Sequence, residues 1–151
     1  MRVSELMSRD IVAIGATETC HEAVEQMCRR KVRHLPVLDR ERALVGIVTD
    51  RDVRHRLFAP DVYRQIGKVP LRVLLQQAPV RVVMSAPVLR IGSASDVAEA
   101  AARMRRERVG CLPVVEGSRV VGMLTEIDIL RHIAGTEAPG SPELDIVISY
   151  P

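Results

Sequence analysis

Aromatic side chains are nearly missing from the chain: they make up 2% of its 151 residues, and there is no tryptophan. A core must therefore come from Val, Leu, Ile, Ala and Met, and there is little on which bases could stack. Lysine is scarce as well, so the positive charge is nearly all arginine and the net charge is only +3. Without a basic run interleaved with aromatics, a nucleic-acid groove is poorly supported. The forked donors of arginine suit phosphate instead. No apolar run approaches membrane-spanning length, and Met1-Arg2-Val3-Ser4-Glu5-Leu6 lacks the long apolar centre of a signal peptide. The expectation is a cytoplasmic protein with no membrane contact. Cys20, Cys28 and Cys111 are odd in number and match no metal-ligand spacing, so reduced thiols are expected and no metal. Cys20 falls on an apolar helical stripe and reads as core.

What is present is ample for folding. The hydrophobic fraction is 47% and the charged fraction 27%, which suits an ordered globular chain. The organising feature is a duplication. Met7-Ser8 returns as Met84-Ser85, Ile14-Gly15 as Ile91-Gly92, and Leu35-Pro36-Val37 as Leu112-Pro113-Val114, all at an offset of 77 residues. Such a period is too long, and the copies too few, for a solenoid. Two copies of one supersecondary unit, packed as a pseudo-twofold pair, are implied.

Each copy reads as β-α-β-β-α, a mixed α/β (α+β) fold. In the first, Ile11 to Ile14 is a short strand and Thr19 opens a helix, with Glu22 completing a capping box. Cys20, Ala23, Val24 and Met27 form its single buried face. Two strands follow, Leu35 to Leu38 and Leu44 to Val48, around the polar loop Asp39-Arg40-Glu41-Arg42. The second copy repeats this with Asp96 as cap, the stripe Val97, Ala100, Ala101 and Met104, and strands Leu112 to Val115 and Val120 to Leu124. Closing helices run from about Thr49 to Leu57 and Thr125 to Ile133. The expected division is repeat one at 1–57, a linker at 58–79, repeat two at 80–133 and a tail at 134–151. Between Pro70 and Pro79, Leu71 to Gln77 can form a short helix. In the tail, Ile146-Val147-Ile148 reads as an added edge strand or as a frayed terminus.

The closest internal match is Gly46-Ile47-Val48-Thr49-Asp50-Arg51-Asp52 against Gly122-Met123-Leu124-Thr125-Glu126-Ile127-Asp128. Each is a buried strand ending in a threonine that caps a helix, with an aspartate one turn in. Open N–H groups at such a helix start can receive phosphate, and an ionised carboxylate can accept both hydroxyls of a ribose. The same Thr-x-x-Asp is also what an ordinary helix cap looks like. A second recurring stretch is Val32-Arg33-His34-Leu35-Pro36 against Val109-Gly110-Cys111-Leu112-Pro113. Arg33 and His34 could add charge for phosphate; Gly110 and Cys111 cannot.

No catalytic constellation emerges. Asp50 and Asp52 are neighbours on a helix start, not a facing dyad, and Ser4, Ser8 and Ser85 lack a nucleophile motif. His21, His55 and His132 fall on helices without ligand partners, and no phosphate-binding glycine loop is present. The chain is expected not to be an enzyme.

These residues resemble a tandem pair of cystathionine-β-synthase (CBS) domains, a Bateman module. The resemblance rests on Met7-Ser8, Leu35-Pro36-Val37 and Gly46 through Asp52, and on their copies at Met84-Ser85, Leu112-Pro113-Val114 and Gly122 through Asp128. It spans residues 3 to about 133 and implies two clefts, each built from both copies. One would combine Ile11, Val12, Arg33, His34, Leu35 and Pro36 with Thr125 and Asp128. The other would combine Val88, Leu89, Gly110, Cys111, Leu112 and Pro113 with Thr49 and Asp52. Asp128 would hold ribose, Thr125 and His34 the phosphate, and the Ile11/Val12 backbone with Leu35 the adenine. The uncharged Gly110-Cys111 sets the second cleft apart. Ligands implied are AMP, ADP or ATP, with NAD or S-adenosylmethionine as alternatives, in a homodimer of the stand-alone bacterial type that signals to an effector protein. The competing reading is a protein-interaction scaffold with vestigial sites.

Overall fold

The computed structural model describes residues 1–57, 59 and 69–135. Sequence readings that fall on 58, 60–68 and 136–151, including the Ile146-Val147-Ile148 strand, lie outside the described residues. The first repeat comprises β1 (Ile14–Gly15), α2 (Cys20–Arg30), β2 (His34–Leu38), β3 (Leu44–Thr49) and α3 (Asp50–Leu57), after a short α1 (Val3–Leu6). Then come α4 (Leu71–Gln77) and a single 3₁₀ turn at Val80–Val82. The second repeat has β4 (Ile91–Gly92), α5 (Val97–Glu107), β5 (Cys111–Glu116), β6 (Arg119–Thr125) and α6 (Glu126–Ala134). Helix α4 has the bounds expected between its two prolines. Helix α6 runs one residue further than expected, to Ala134, and Gly135 closes it in the left-handed conformation at φ 66°.

Each repeat carries a three-stranded sheet with its middle strand parallel to one neighbour and antiparallel to the other, β1-β2-β3 and β4-β5-β6. The parallel pair needs a crossover, which α2 and α5 supply, while the antiparallel pair closes through a hairpin. In the first hairpin Asp39 Oδ1 accepts from the amides of Glu41 (2.9 Å) and Ala43 (2.8 Å). In the second, Gly117 turns the chain at φ 60°.

The expected strand Ile11 to Ile14 is corrected to Ile14–Gly15. Its register pairs Ile14 with Val37 and Gly15 with Leu38. One step earlier the partner would be Pro36, which has no N–H to offer the ladder. The ladder therefore starts after the proline, and Ile11 to Ala13 approach as irregular chain. Pro36 itself pairs with Ile47 on its other side. The second repeat copies this, with Ile91 opposite Val114 and Pro113 opposite Met123.

The two repeats exchange their leading segments. Residues 2 to 8 dock on repeat two: the amides of Val3 and Ser4 donate to the carbonyls of Ser95 and Ser93 (both 2.9 Å), and Ser8 bridges Met123. Residues 78 to 85 dock on repeat one: the Cys20 amide donates to Ala78 O (2.8 Å), Val80 N to Glu18 O (2.7 Å), and Ser85 bridges Ile47. Two hydrophobic clusters follow this exchange. Val3 and Met7 pack with Ile91, Met104, Leu112 and Leu124, whereas Val80 and Val83 pack with Ile14, Met27, Leu35 and Val48. Neither core is complete without the other repeat's chain.

Candidate functional site

The Thr-x-x-Asp residues are full capping boxes. In the first, the Thr49 amide (2.9 Å) and hydroxyl (2.8 Å) both donate to Asp52 Oδ2, and Asp52 N donates back to Thr49 Oγ1 at 3.0 Å. In the second, Asp128 Oδ2 receives the Thr125 amide at 2.8 Å and hydroxyl at 2.6 Å, and Asp128 N returns at 3.2 Å. A carboxylate has about four acceptor positions, two on each oxygen. Oδ2 is thus committed to the cap in both copies, and any hydroxyl must be met by Oδ1. At Asp52 that oxygen already accepts from Ser85 Oγ at 3.2 Å. Ser85 arrives on the exchanged segment, held by the Arg56 guanidinium, which donates to Met84 O (3.0 Å) and Ser85 Oγ (3.4 Å).

A cavity of about 460 Å³ opens beside the first box, within the range of small-molecule sites. Repeat one supplies Arg33, His34, Thr49 and Asp52 to its walls, and repeat two supplies Ser85, Leu89, Gly110 and Cys111. Thr49, Asp52, Leu89, Gly110 and Cys111 of the second expected cleft are therefore brought together. Arg33 and His34 line this same cavity, although they were grouped with Thr125 and Asp128. The sheet gives the reason: His34 pairs with Thr49 across β2 and β3, so both stand at one strand end. Ile11 lines a separate cavity near the hairpins, with Leu38, Arg42 and Arg119, while Val12 packs on the first core. Thr125 and Asp128 are half-buried at the start of α6. Leu35, Pro36, Leu112 and Pro113 are buried strand residues, and Val88 is half-buried in the chain before β4.

Charge around the cavity is organised by Asp50, whose Oδ2 takes Arg33 at 3.2 Å and Arg54 at 3.3 Å. Exposed pairs of this kind add little stability, so their effect is to hold two guanidiniums at the cavity wall. At the matching place in repeat two stands Glu126, whose amide donates to Gly110 O at 2.9 Å. A Cβ on Gly110 would touch the Glu126 carboxyl at 3.4 Å, ordinary contact. Burial lowers the pKa of His34, opposed by the nearby charge of Asp50. At neutral pH it is therefore a neutral hydrogen-bonding group, not the cation expected from sequence, and the arginines carry the charge. Burial pushes the Cys111 thiol up to about 12, so it is a protonated wall.

Sequence reading missed Ser85, Arg54, Arg51, Arg108 and Glu126 at this cavity. Ser85 was visible as half of the repeated Met-Ser pair, but nothing local says that it reaches the opposite repeat. Arg54 follows Asp50 by one helical turn, a signal available in the sequence. Among the described residues there is no cluster of three or more His, Cys, Asp or Glu able to hold a metal, and no helix is long and apolar enough to cross a membrane.

The sequence model of the CBS domain matches residues 3–59 and 80–135. A CBS domain-containing protein of Dictyostelium discoideum is 30% identical over 149 residues, covering 93% of this chain and 97% of its own. An uncharacterized protein of Methanocaldococcus jannaschii is 27% identical over 146 residues, and there the chain spans only 35% of the relative's length. Among solved structures, the CBS domain pair of protein MJ0100, in complex with 5′-methylthioadenosine and S-adenosyl-L-methionine, superposes with a TM-score of 0.75 at 24% identity. That match covers 89% of this chain and 97% of the other. Two matched segments, two equivalent sheets and the exchanged leaders agree with one another: the chain belongs to the CBS domain family, as a tandem pair.

Proposed function

We propose that the protein is a regulatory module that binds an adenine nucleotide, without catalysis of its own, and signals by a ligand-dependent change in a cytoplasmic homodimer. The observation that carries this reading is the 460 Å³ cavity walled by both repeats, with Asp52 and four arginines around it. A ligand there touches both halves, so its binding free energy can favour one relative placement over another. Asp52 keeps one acceptor position for a sugar hydroxyl and Asp128 keeps two, by the hydrogen bonds given above. Arg33 and Arg54 stand where a phosphate would be met. A bound adenosyl group in the similar MJ0100 pair supports the ligand class. AMP, ADP and ATP fit the arginine-rich wall better than S-adenosylmethionine, whose sulfonium is itself a cation; NAD fits the same wall through its phosphates.

Self-association is supported by Ile127, Leu130 and Ile133, which share one face of α6 and are 47%, 58% and 74% exposed. An effector protein would then read the altered dimer. Calorimetric titration with AMP, ATP, NAD and S-adenosylmethionine, paired with sedimentation velocity, tests the reading. The expected result is binding of a phosphate-bearing nucleotide, weakened in Asp52→Ala or Asp128→Ala protein that still melts cooperatively. Unchanged binding in both variants removes the sugar assignment. A constant co-purifying protein with no nucleotide bound favours the scaffold instead.

A further inference from the structure

We propose that the protein carries a second ligand site, between its two hairpins, for a free α-amino acid with an apolar side chain. A cavity of about 470 Å³ lies there and shares no wall residue with the 460 Å³ cavity. Repeat one gives it Glu41 and Arg42, and repeat two gives it Ser118 and Arg119. Ile11 and Ala13 line it while Val12, between them, packs on the first core, so the approach to β1 serves both places. None of the Thr-x-x-Asp or Leu-Pro residues stands in its walls, and the proposal is independent of the nucleotide reading.

The hairpins are also where the two copies differ in build. Residues 39–43 lie between the paired Leu38 and Leu44, against residues 116–119 between Val115 and Val120, so the first hairpin is one residue longer. The second hairpin turns on a glycine at φ 60°, whereas in the first the left-handed residue is Arg42 at φ 65°. A side chain in that conformation costs free energy that glycine does not. Asp39 holds the turn in place, its carbonyl accepting from the Arg42 amide at 3.1 Å. Among the described residues, the other non-glycine ones with positive φ, Lys31 and Arg108, close helices α2 and α5. Arg42 closes no helix, and it brings a guanidinium to a cavity wall against the preference of its backbone.

Among the described residues Glu41, Arg42 and Arg119 have no ion-pair partner. Arg119 stands opposite Glu116 across β5 and β6, but that carboxylate takes the Ser93 hydroxyl at 2.7 Å. Two guanidiniums, one from each repeat, suit a carboxylate, which accepts their forked donors. The Glu41 carboxylate and the Ser118 hydroxyl can both accept from an ammonium. Ile11, Ala13, Leu38 and Val120 supply apolar wall for an aliphatic side chain. A phosphate at the arginines would sit beside Glu41, and a simple amine beside two guanidiniums; a zwitterion meets both signs.

The experiment is calorimetric titration of the full chain with L-leucine, L-valine and L-methionine. The controls are isocaproate, which lacks the ammonium, isoamylamine, which lacks the carboxylate, and inorganic phosphate. Expected is binding of at least one amino acid, about tenfold tighter than any control. Arg42→Gly removes the guanidinium and suits the turn, so it should melt no lower than the parent while amino-acid affinity falls about tenfold. A residue kept only to shape the hairpin would not separate the two readouts. Glu41→Gln should bring the amino acid down to the affinity of isocaproate. No binding of the three amino acids, a control that binds as tightly as they do, or affinity untouched by both substitutions overturns the proposal. In each case the titrations with nucleotide are unaffected, and that reading stands or falls separately.

Discussion

Ser85 Oγ stands 3.2 Å from Asp52 Oδ1, a hydrogen bond from the exchanged leader of one repeat to the carboxylate of the other. It takes one of the two acceptor positions that the Thr49 cap leaves on Asp52. Ser85→Ala should therefore act in opposite directions on stability and on binding. Loss of a hydrogen bond to a charged acceptor lowers unfolding free energy by about 1.5–3 kcal/mol, while the freed position raises nucleotide affinity by about fivefold. Urea titration and calorimetry on the same variant read the two effects. A variant that loses stability and affinity together would make Ser85 a contact to the ligand rather than its competitor.

The capping boxes predict parallel losses in the two repeats. Thr49→Ala and Thr125→Ala each remove the hydroxyl that receives the Asp52 or Asp128 amide. Each should cost about 1 kcal/mol, lowering the melting temperature by about 2–4 °C for a chain of this size. Differential scanning calorimetry checks this.

Two glycines should rank differently on substitution. The Cβ of an alanine at Gly122 would lie 3.0 Å from the Ser8 carbonyl oxygen and 3.0 Å from Met7 Cγ. At Gly46 the atoms met all belong to the Met84 side chain. A methionine can turn aside; a backbone carbonyl held by the Ser8–Met123 bridge cannot without moving the leader. Gly122→Ala should cost about 1–3 kcal/mol and Gly46→Ala less, measured by chemical denaturation.

Acid should weaken the fold through His34. Its folded pKa lies below the ordinary 6.5, so in the interval between the two values the unfolded chain binds more protons. The stability that comes from burying neutral imidazole is whole above about pH 6.5 and is lost as pH falls through the folded value. The facing groups are Asp50, Asp52 and Glu126, which favour the cation, and Arg33, which opposes it. His34→Gln should flatten the stability profile just below about pH 6.5 while the acid limb at lower pH, from carboxylates such as Glu22, remains.

Much of the fold was legible because its signals are local. The stripe Cys20, Ala23, Met27 has helical spacing, and the Thr19–Glu22 capping box formed as read. Pro70 and Pro79 bounded α4, and both hairpins fell between the expected strands. The overlong first strand shows where locality fails: whether Ile11 to Ala13 joins a ladder depends on Pro36 lying alongside, more than twenty positions away. His34 fails in the same way, since its burial between two repeats decides its charge.

What the sequence determined by itself was the unit and its duplication, because periodicity, caps and turn residues act within a few positions of one another. The tertiary structure alone decided which copy each leader completes, that Arg33 and His34 stand with Thr49 and Asp52, and that Ser85 reaches an acid of the other half. Those outcomes follow from apolar surface being buried wherever it fits best: Val3 and Met7 find their contacts with Leu112 and Leu124, and Val80 and Val83 with Leu35 and Val48. Burial has no preference for residues near in the chain, so a pattern read along it cannot assign the partners.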